Sequence, residues 1–301
     1  MQKLTSPLKW AGGKRWLVPS IWPVWARYQK NNNRLVEPFC GGISIALGLM
    51  PKEALLNDIN PHLINFYNWV KEGLTISNNF ENSSTAYYSY REEFNQLISN
   101  GEDKSERAAE LFFYLNKTCF NGLCRFNADG KFNVPFGKHE NIKYNLDFSI
   151  YQKYFSQWDF SNESYKHLEF RKDDFIFADP PYDVEFRKYS KDGFEWEEQV
   201  HLAKLLSNHS GPVILCNHAT DRIIALYKSL DYKLNYRQER IYIKANGDRT
   251  PANVIIATKN IDEPIGQIGD ASSGHDVVGK TRFSEIEHPH PKSLTFQALF
   301  R

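Results

Sequence analysis

Asp179-Pro180-Pro181-Tyr182 directly follows the apolar run Phe175 to Ala178. If that run is a parallel strand, the tetrapeptide sits at its carboxyl end, where open α/β sheets bind ligands. These residue types suit a poor nitrogen nucleophile, such as adenine's exocyclic amino group, whose lone pair is delocalised into the ring. The Asp179 carboxylate and the Pro180 carbonyl, in a backbone stiffened by Pro180 and Pro181, can accept both amino hydrogens. That favours a pyramidal nitrogen and builds negative potential where positive charge develops during methyl transfer. Tyr182 offers a face on which a base drawn out of a duplex can stack. Its bland alternative is a tyrosine packed in the core, and that of the tetrapeptide is a strand-ending turn.

A second constellation, Glu37-Pro38-Phe39-Cys40-Gly41-Gly42, ends the apolar run Arg34 to Phe39 and precedes a helix expected over Ile43 to Leu49. Its glycines permit close backbone approach to a ligand, but it is not the G-x-G-x-x-G of dinucleotide sites. Asp58 comes seventeen residues after Gly41, at the end of the apolar run Ala54 to Asn57. An acid placed there accepts hydrogen bonds from ribose hydroxyls, which favours a nucleoside ligand. Lys9-Trp10-Ala11-Gly12-Gly13-Lys14 is a basic, aromatic, glycine-bearing loop. Alone it equally suits a turn that joins the first residues to a helix.

The elements that position these groups follow from periodicity. Arg34 to Phe39, Ala54 to Asn57, Phe175 to Ala178 and Val213 to Cys216 read as buried parallel strands. Pro61 to Glu72, Trp196 to Ser207 and Thr220 to Leu230 read as helices between or after them, and strands near Asn235 to Ile243 and Asn253 to Thr258 close the edge. The fold class is therefore α/β, a Rossmann-like doubly wound sheet. Residues 74 to 165 break the alternation with a helix over Glu106 to Leu115 and a Gly/Asn-rich stretch, which reads as an inserted, mostly helical lobe. Within it, Asn127 to Gly130 carries an Asp-Gly dipeptide between runs containing Phe and Val, a hairpin signal. From about Asp262 the chain lacks periodicity and is expected to form a loosely ordered tail.

Composition sets the class. The 301 residues include 37 Lys+Arg against 36 Asp+Glu and are 41% hydrophobic, as in ordinary folded proteins rather than disordered or fibrous ones. The charge is uneven: residues 1 to 36 hold seven Lys/Arg and no acid, and residues 115 to 145 are again net basic and interleaved with aromatics. Such fields suit nucleic acid as well as plain solvation. Four scattered cysteines argue against a disulfide framework, no secretory signal is recognised and no apolar run reaches the roughly 20 residues of a membrane span. A cytoplasmic location is expected. Cys119 and Cys124 lack a second ligand pair, and His275, His288 and His290 lie among prolines, so no metal is assigned.

Together the motifs resemble the Dam-type, D12-class DNA adenine methyltransferases. The resemblance rests on K-W-A-G-G-K at 9 to 14, E-P-F-C-G-G at 37 to 42, N-D-I-N at 57 to 60, N-K-T-C-F-N-G-L-C-R-F-N at 116 to 127, N-V-P-F-G at 133 to 137 and D-P-P-Y at 179 to 182. It implies transfer of a methyl group from S-adenosylmethionine to adenine N6 in double-stranded DNA, by base flipping and direct in-line transfer, with GATC the site the hairpin favours. It implies a catalytic set of Asp179, Pro180, Pro181 and Tyr182, and a cofactor pocket of Trp10, Lys14, Glu37, Phe39, Gly41, Asp58 and Asp179. Lys9, Asn121, Leu123, Arg125, Asn127, Pro135 and Lys138 are expected to meet DNA. The corresponding organisation is a discontinuous catalytic domain, 1 to 73 and 160 to 260, a target-recognition domain, 74 to 159, with its hairpin at 122 to 137, and the tail, 261 to 301. No obligatory protein partner is implied. The rival readings are an amino methyltransferase acting on RNA or on a protein glutamine, a catalytically inert DNA-binding relative and, last, a nuclease.

Overall fold

The computed structural model describes residues 4–29, 33–76, 80–140, 142, 147–183, 194–239, 252–262 and 265. The expectations for the tail beyond 265 and for Ile243 as a strand end lie outside these residues. The described residues contain one seven-stranded sheet, ordered β3-β2-β1-β4-β5-β7-β6. β1 (Leu35–Glu37), β2 (Ala54–Asn57), β3 (Trp158–Ser161), β4 (Phe175–Ala178) and β5 (Val213–His218) are parallel, whereas β7 (Ala252–Lys259) runs antiparallel to both β5 and β6 (Lys233–Glu239).

The apolar runs are continuous because both faces of the sheet are covered. Phe175, Phe177, Ile214 and Cys216 join one core, packed against α1 (Val18–Tyr28), α2 (Ala46–Leu49), α3 (Pro61–Glu72), α4 (Ser84–Ser99), α5 (Glu106–Thr118) and α6 (Ser149–Phe155). Their neighbours Ile176, Ala178, Val213 and Leu215 turn to a second core beneath α7 (Trp196–Ser207) and α8 (Asp221–Ser229). Strand order reverses between β1 and β4, so a crevice opens outside their carboxyl ends.

Local chemistry fixes the element ends. Asn60 accepts hydrogen bonds from the His62 and Leu63 amides, with Pro61 at the first helical position of α3, and Gly73, at φ +99°, stops that helix. Ser83, Ser105 and Thr220 cap α4, α5 and α8 in the same way. β1 stops at Glu37 rather than running to Phe39, since Pro38 has no amide to donate. The helix expected over Ile43 to Leu49 begins only at Ala46. Ile43 takes the left-handed φ of 49° and its amide bonds the Cys40 carbonyl at 2.8 Å, so the glycine loop continues as a tight turn.

Between α3 and β3, α5 is buried along Ala108 to Asn116 and packs on α3, with Phe113 stacked on Phe66 at 5.8 Å. β3, residues 158–161, spans the boundary expected at 159/160 and pairs with β2 across all four residues. Residues 119–136 form a hairpin with two antiparallel bridges, Cys119 with Phe136 and Phe126 with Phe132. At its turn the Asn127 carboxamide oxygen accepts the Asp129 and Lys131 amides, and Gly130 takes φ +73°. The base of the hairpin is anchored: Phe132 and Val134 are buried, and the Asn95 side chain of α4 both donates to the Phe132 carbonyl and accepts from its amide.

Candidate active site

A cavity of about 490 Å³ occupies the crevice between the ends of β1 and β4, a volume in the range of small-molecule sites. Trp10, Lys14, Glu37, Phe39, Gly41 and Asp58 all line it, and so do Asp179, Pro180, Pro181 and Tyr182. Segments far apart in sequence thus meet at one place. Ser44, Ile45 and Phe177 line it as well and were not singled out from the sequence, while Ile59 and Asn60 enter as part of N-D-I-N without an assigned role. Ser44 carried a usable signal, a polar residue just beyond two glycines; its hydroxyl accepts the Lys14 amide at 3.0 Å.

The wall from the glycine loop is held tightly. Asp58 accepts the Gly41 amide through one oxygen and the Asn60 amide through the other, both at 3.0 Å. Tyr67 donates to the Gly41 carbonyl at 2.7 Å. Gly41 has φ +45°, and a methyl group there would stand 2.6 Å from the Trp10 indole nitrogen; at Gly42 it would stand 2.8 Å from the Trp10 Cβ. Both glycines are therefore needed so that Trp10 can close on the loop. The two bonds to Asp58 leave it acceptor capacity, since a carboxylate offers about four lone-pair sites. Phe39 is braced by Tyr165 and Phe194, with ring centroids at 5.4 and 5.6 Å.

Lys14 is 4% exposed and its ammonium lies 2.9 Å from Asp179 Oδ2, 2.7 Å from the Gly12 carbonyl and 4.9 Å from the Tyr182 ring centre. Asp179 Oδ1 is buried with no hydrogen-bond partner among the described residues. Burial pushes the Asp179 carboxyl upward from its ordinary value, and the Lys14 charge, the Lys14 hydrogen bond and the neighbouring Tyr182 hydroxyl oppose that shift. Burial also raises Asp58, against its two backbone donors. Glu37, 2% exposed, is pushed up to about 8 by burial, partly countered by the Ala46 amide that it accepts at 2.8 Å and reinforced by Asp179. The cavity thus carries three carboxyl groups whose environment favours a proton or a cationic, hydrogen-bond-donating ligand.

The residues expected to meet DNA lie outside the cavity lining. Lys9 is tied to α5 by a reciprocal pair, its amide to Asn116 Oδ1 and the Asn116 amide group to its carbonyl, each at 2.8 Å. Its ammonium reaches the Lys117 carbonyl at 2.7 Å. Gly122, at φ +63°, has no room for a side chain against Lys9. The hairpin and the K-W-A-G-G-K loop therefore touch. Arg125 is exposed and tethered across the hairpin, its Nε 2.7 Å from Asn133 Oδ1. Asn121, Asn127, Pro135 and Lys138 are also exposed, while Leu123 is half-buried against the core. His139 faces the Lys9 ammonium at 3.3 Å. No cluster of three or more His, Cys, Asp or Glu suited to a metal occurs among the described residues.

This arrangement has known counterparts. The chain is 35% identical over 266 residues to the DNA adenine methylase of Escherichia coli (strain K12), covering 82% of this chain and 92% of that protein. Over 265 residues it is 29% identical to the retron Ec67 DNA adenine methylase of Escherichia coli, covering 84% and 90%. A third relative, the DNA N-6-adenine-methyltransferase of Escherichia phage P1, is 31% identical over 274 residues, which are 81% of this chain and 34% of that longer protein. A family profile matches residues 10–243, from the loop that closes on the glycines to beyond the two β5-side elements α8 and β6, and so takes in every residue lining the cavity. By that match the chain belongs to the D12 class N6 adenine-specific DNA methyltransferases.

Proposed function

We propose that the crevice between β1 and β4 binds S-adenosylmethionine and an extrahelical adenine together, and that Asp179 with the Pro180 carbonyl prepares the adenine N6 for direct methyl transfer. The observation that carries this reading is the Asp179 carboxylate in the crevice, its Oδ2 paired with Lys14 and its buried Oδ1 in no hydrogen bond of full geometry. A buried acceptor without a donor is costly, and a donor-bearing ligand removes that cost.

The residues present fit the methyl donor that the family implies. Asp58 keeps acceptor capacity for ribose hydroxyls, Phe39 and Trp10 offer flat apolar surfaces, and the raised acids Glu37 and Asp179 favour a positively charged neighbour. When bound, that donor supplies an electrophilic methyl group on a sulfonium. Lys14 holds Asp179 in one orientation, leaving Oδ1 to accept one N6 hydrogen while the Pro180 carbonyl accepts the other. Tyr182, half-buried at the pocket and edge-on to His218 at 4.8 Å, stacks on the flipped base. Forming the N6–C bond as the donor's S–C bond breaks would move the positive charge to the nitrogen, and Asp179 would stabilise it there until the N6 proton passes to water.

Residues 74–159 form the target-recognition part in this reading, with double-stranded DNA laid across the hairpin and the basic first segment. Arg125, pre-oriented by Asn133, reads a guanine edge, with Leu123 and Pro135 in apolar base contact. GATC is the site proposed. The reaction belongs where DNA and the methyl donor meet, the cytoplasm of a bacterial or phage-infected cell.

The test is single-molecule sequencing of unmethylated plasmid after incubation with protein and S-adenosylmethionine. N6-methyladenine at GATC is expected, with Arg125→Ala relaxing one position at a cost of about 1–3 kcal/mol in discrimination. Methylation at another motif would overturn the GATC assignment. An unchanged pattern in Arg125→Ala would remove that residue from the readout.

A further inference from the structure

The D-P-P-Y segment has a weakness that its composition creates. Pro180 and Pro181 carry no amide hydrogen, so the loop cannot anchor itself through consecutive backbone donors. Two buried amide side chains do so instead. Gln199 of α7 is 2% exposed and donates to the Pro181 carbonyl at 2.8 Å. Asn217 of β5 is fully buried and its Oδ1 accepts the Asp183 amide at 2.9 Å and the His218 amide at 2.9 Å. Its Nδ2 donates to Gln199 Oε1 at 2.8 Å and to the Tyr227 hydroxyl at 3.2 Å.

Asn217 thus uses two acceptor sites and both donor hydrogens, which allows its amide only one orientation. That orientation dictates the next. With its oxygen accepting from Asn217, Gln199 must present its nitrogen to Pro181. The Asp183 carboxylate adds a third anchor, accepting from Thr220 at 2.9 Å and from the Arg222 guanidinium.

From this geometry we infer that Gln199 and Asn217 are positioning residues for methyl transfer: their paired amides clamp the carbonyl and amide on either side of Tyr182, and so aim Asp179 and the Pro180 carbonyl at the reacting nitrogen. The inference rests on the reading of Asp179 given above. Neither side chain lines the cavity, so their loss acts on the rate of transfer rather than on binding.

The experiment is single-turnover methylation of a duplex by Gln199→Met and Gln199→Glu, with rates normalised to the active fraction titrated by bound cofactor. Methionine keeps the volume and loses both bonds, while glutamate keeps the shape and sets an oxygen against the Pro181 carbonyl. Misplacement of reacting groups by about 1 Å costs on the order of 100-fold, so a loss of about tenfold to 100-fold in the transfer rate is expected for both. Affinities for S-adenosylhomocysteine and for DNA should stay within about twofold, and hydrogen exchange in residues 175–183 should quicken. If one variant fails to fold, the other decides. Wild-type transfer rates in the folded variant would overturn the positioning role, as would cofactor affinity falling in parallel with rate. An Asp179→Asn control run alongside separates the two levels: if it keeps full activity the underlying reading is wrong, and if it is inactive while Gln199→Met transfers normally only the clamp is wrong.

Discussion

Glu37 is the residue whose chemistry departs furthest from what its type suggests. As a surface glutamate it would ionise in the ordinary carboxylate range, but buried behind the glycine loop and near Asp179 it titrates at about 8. The folded protein therefore binds a proton that the unfolded chain releases between the ordinary carboxylate range and about 8, so stability falls as pH rises through that interval and the full penalty is present above it. Glu37→Gln can still accept the Ala46 amide and has no charge to bury. In the absence of ligands it should flatten this slope and raise the midpoint of urea unfolding at pH 9, with little change at pH 4; an unaltered slope would mean that Glu37 is ionised in the fold. The sequence marked Glu37 as part of the pocket but not its protonation, since that depends on burial from α2 and the neighbouring strand. Asp58, in contrast, was legible from its position after a strand, seventeen residues beyond Gly41. Gln199 and Asn217 were not legible, because a polar residue on a helix or in a strand carries no mark of the partner it meets across the sheet.

At the scale of elements, the strongest periodicities translated directly. Pro61 to Glu72 and Trp196 to Ser207 are helices with those ends, and the four continuous apolar runs are the central strands, because a strand covered on both faces has no polar side to blur its pattern. β3 was missed for the opposite reason: Trp158-Asp159-Phe160-Ser161 alternates and lies at the sheet edge. α4 was missed because only Tyr87, Phe94 and Asn95 along it are buried. Asn95 is the most consequential of these, since its side chain pairs with both backbone groups of Phe132 as a neighbouring strand would. Asn95→Ala leaves those buried groups unpaired at about 1–3 kcal/mol each. It should lower the unfolding free energy by at least that much and loosen the hairpin, seen as relaxed site selectivity in methylation maps. Wild-type stability would show that water replaces the amide without loss.

Across the whole molecule, a formal charge of +1 hides a separation of roles. Acids gather at the strand ends around the crevice, while the first segment, the hairpin and the residue beyond it supply Lys9, Arg125 and Lys138, expected to meet DNA, with Lys117 next to them at the end of α5. Burial and the Lys9 charge lower Lys117 to about 8, so anionic phosphate nearby would draw it back to the charged form. Lys138 is exposed, beyond the hairpin's apolar base. Lys138→Ala should weaken binding to all sequences alike and reduce the slope of log affinity against log salt by about 1; a change confined to the preferred site would instead give Lys138 a part in base readout. Composition alone does not point to this division, whereas the local runs of charge do.

In the proposed reaction Asp179 acts on the reacting amine and not on the duplex. The most direct test is the single-turnover methylation rate of Asp179→Asn against wild type, on one duplex, with DNA affinity measured on the same preparations. Asparagine keeps the size but loses the charge and sets an amide nitrogen where Oδ1 or Oδ2 must accept. The rate should fall by about 1,000-fold, the scale of losing an electrostatic stabiliser of the transition state, with DNA affinity changed less than about twofold. A rate near wild type, or a fall in DNA affinity that matches the fall in rate, would contradict it.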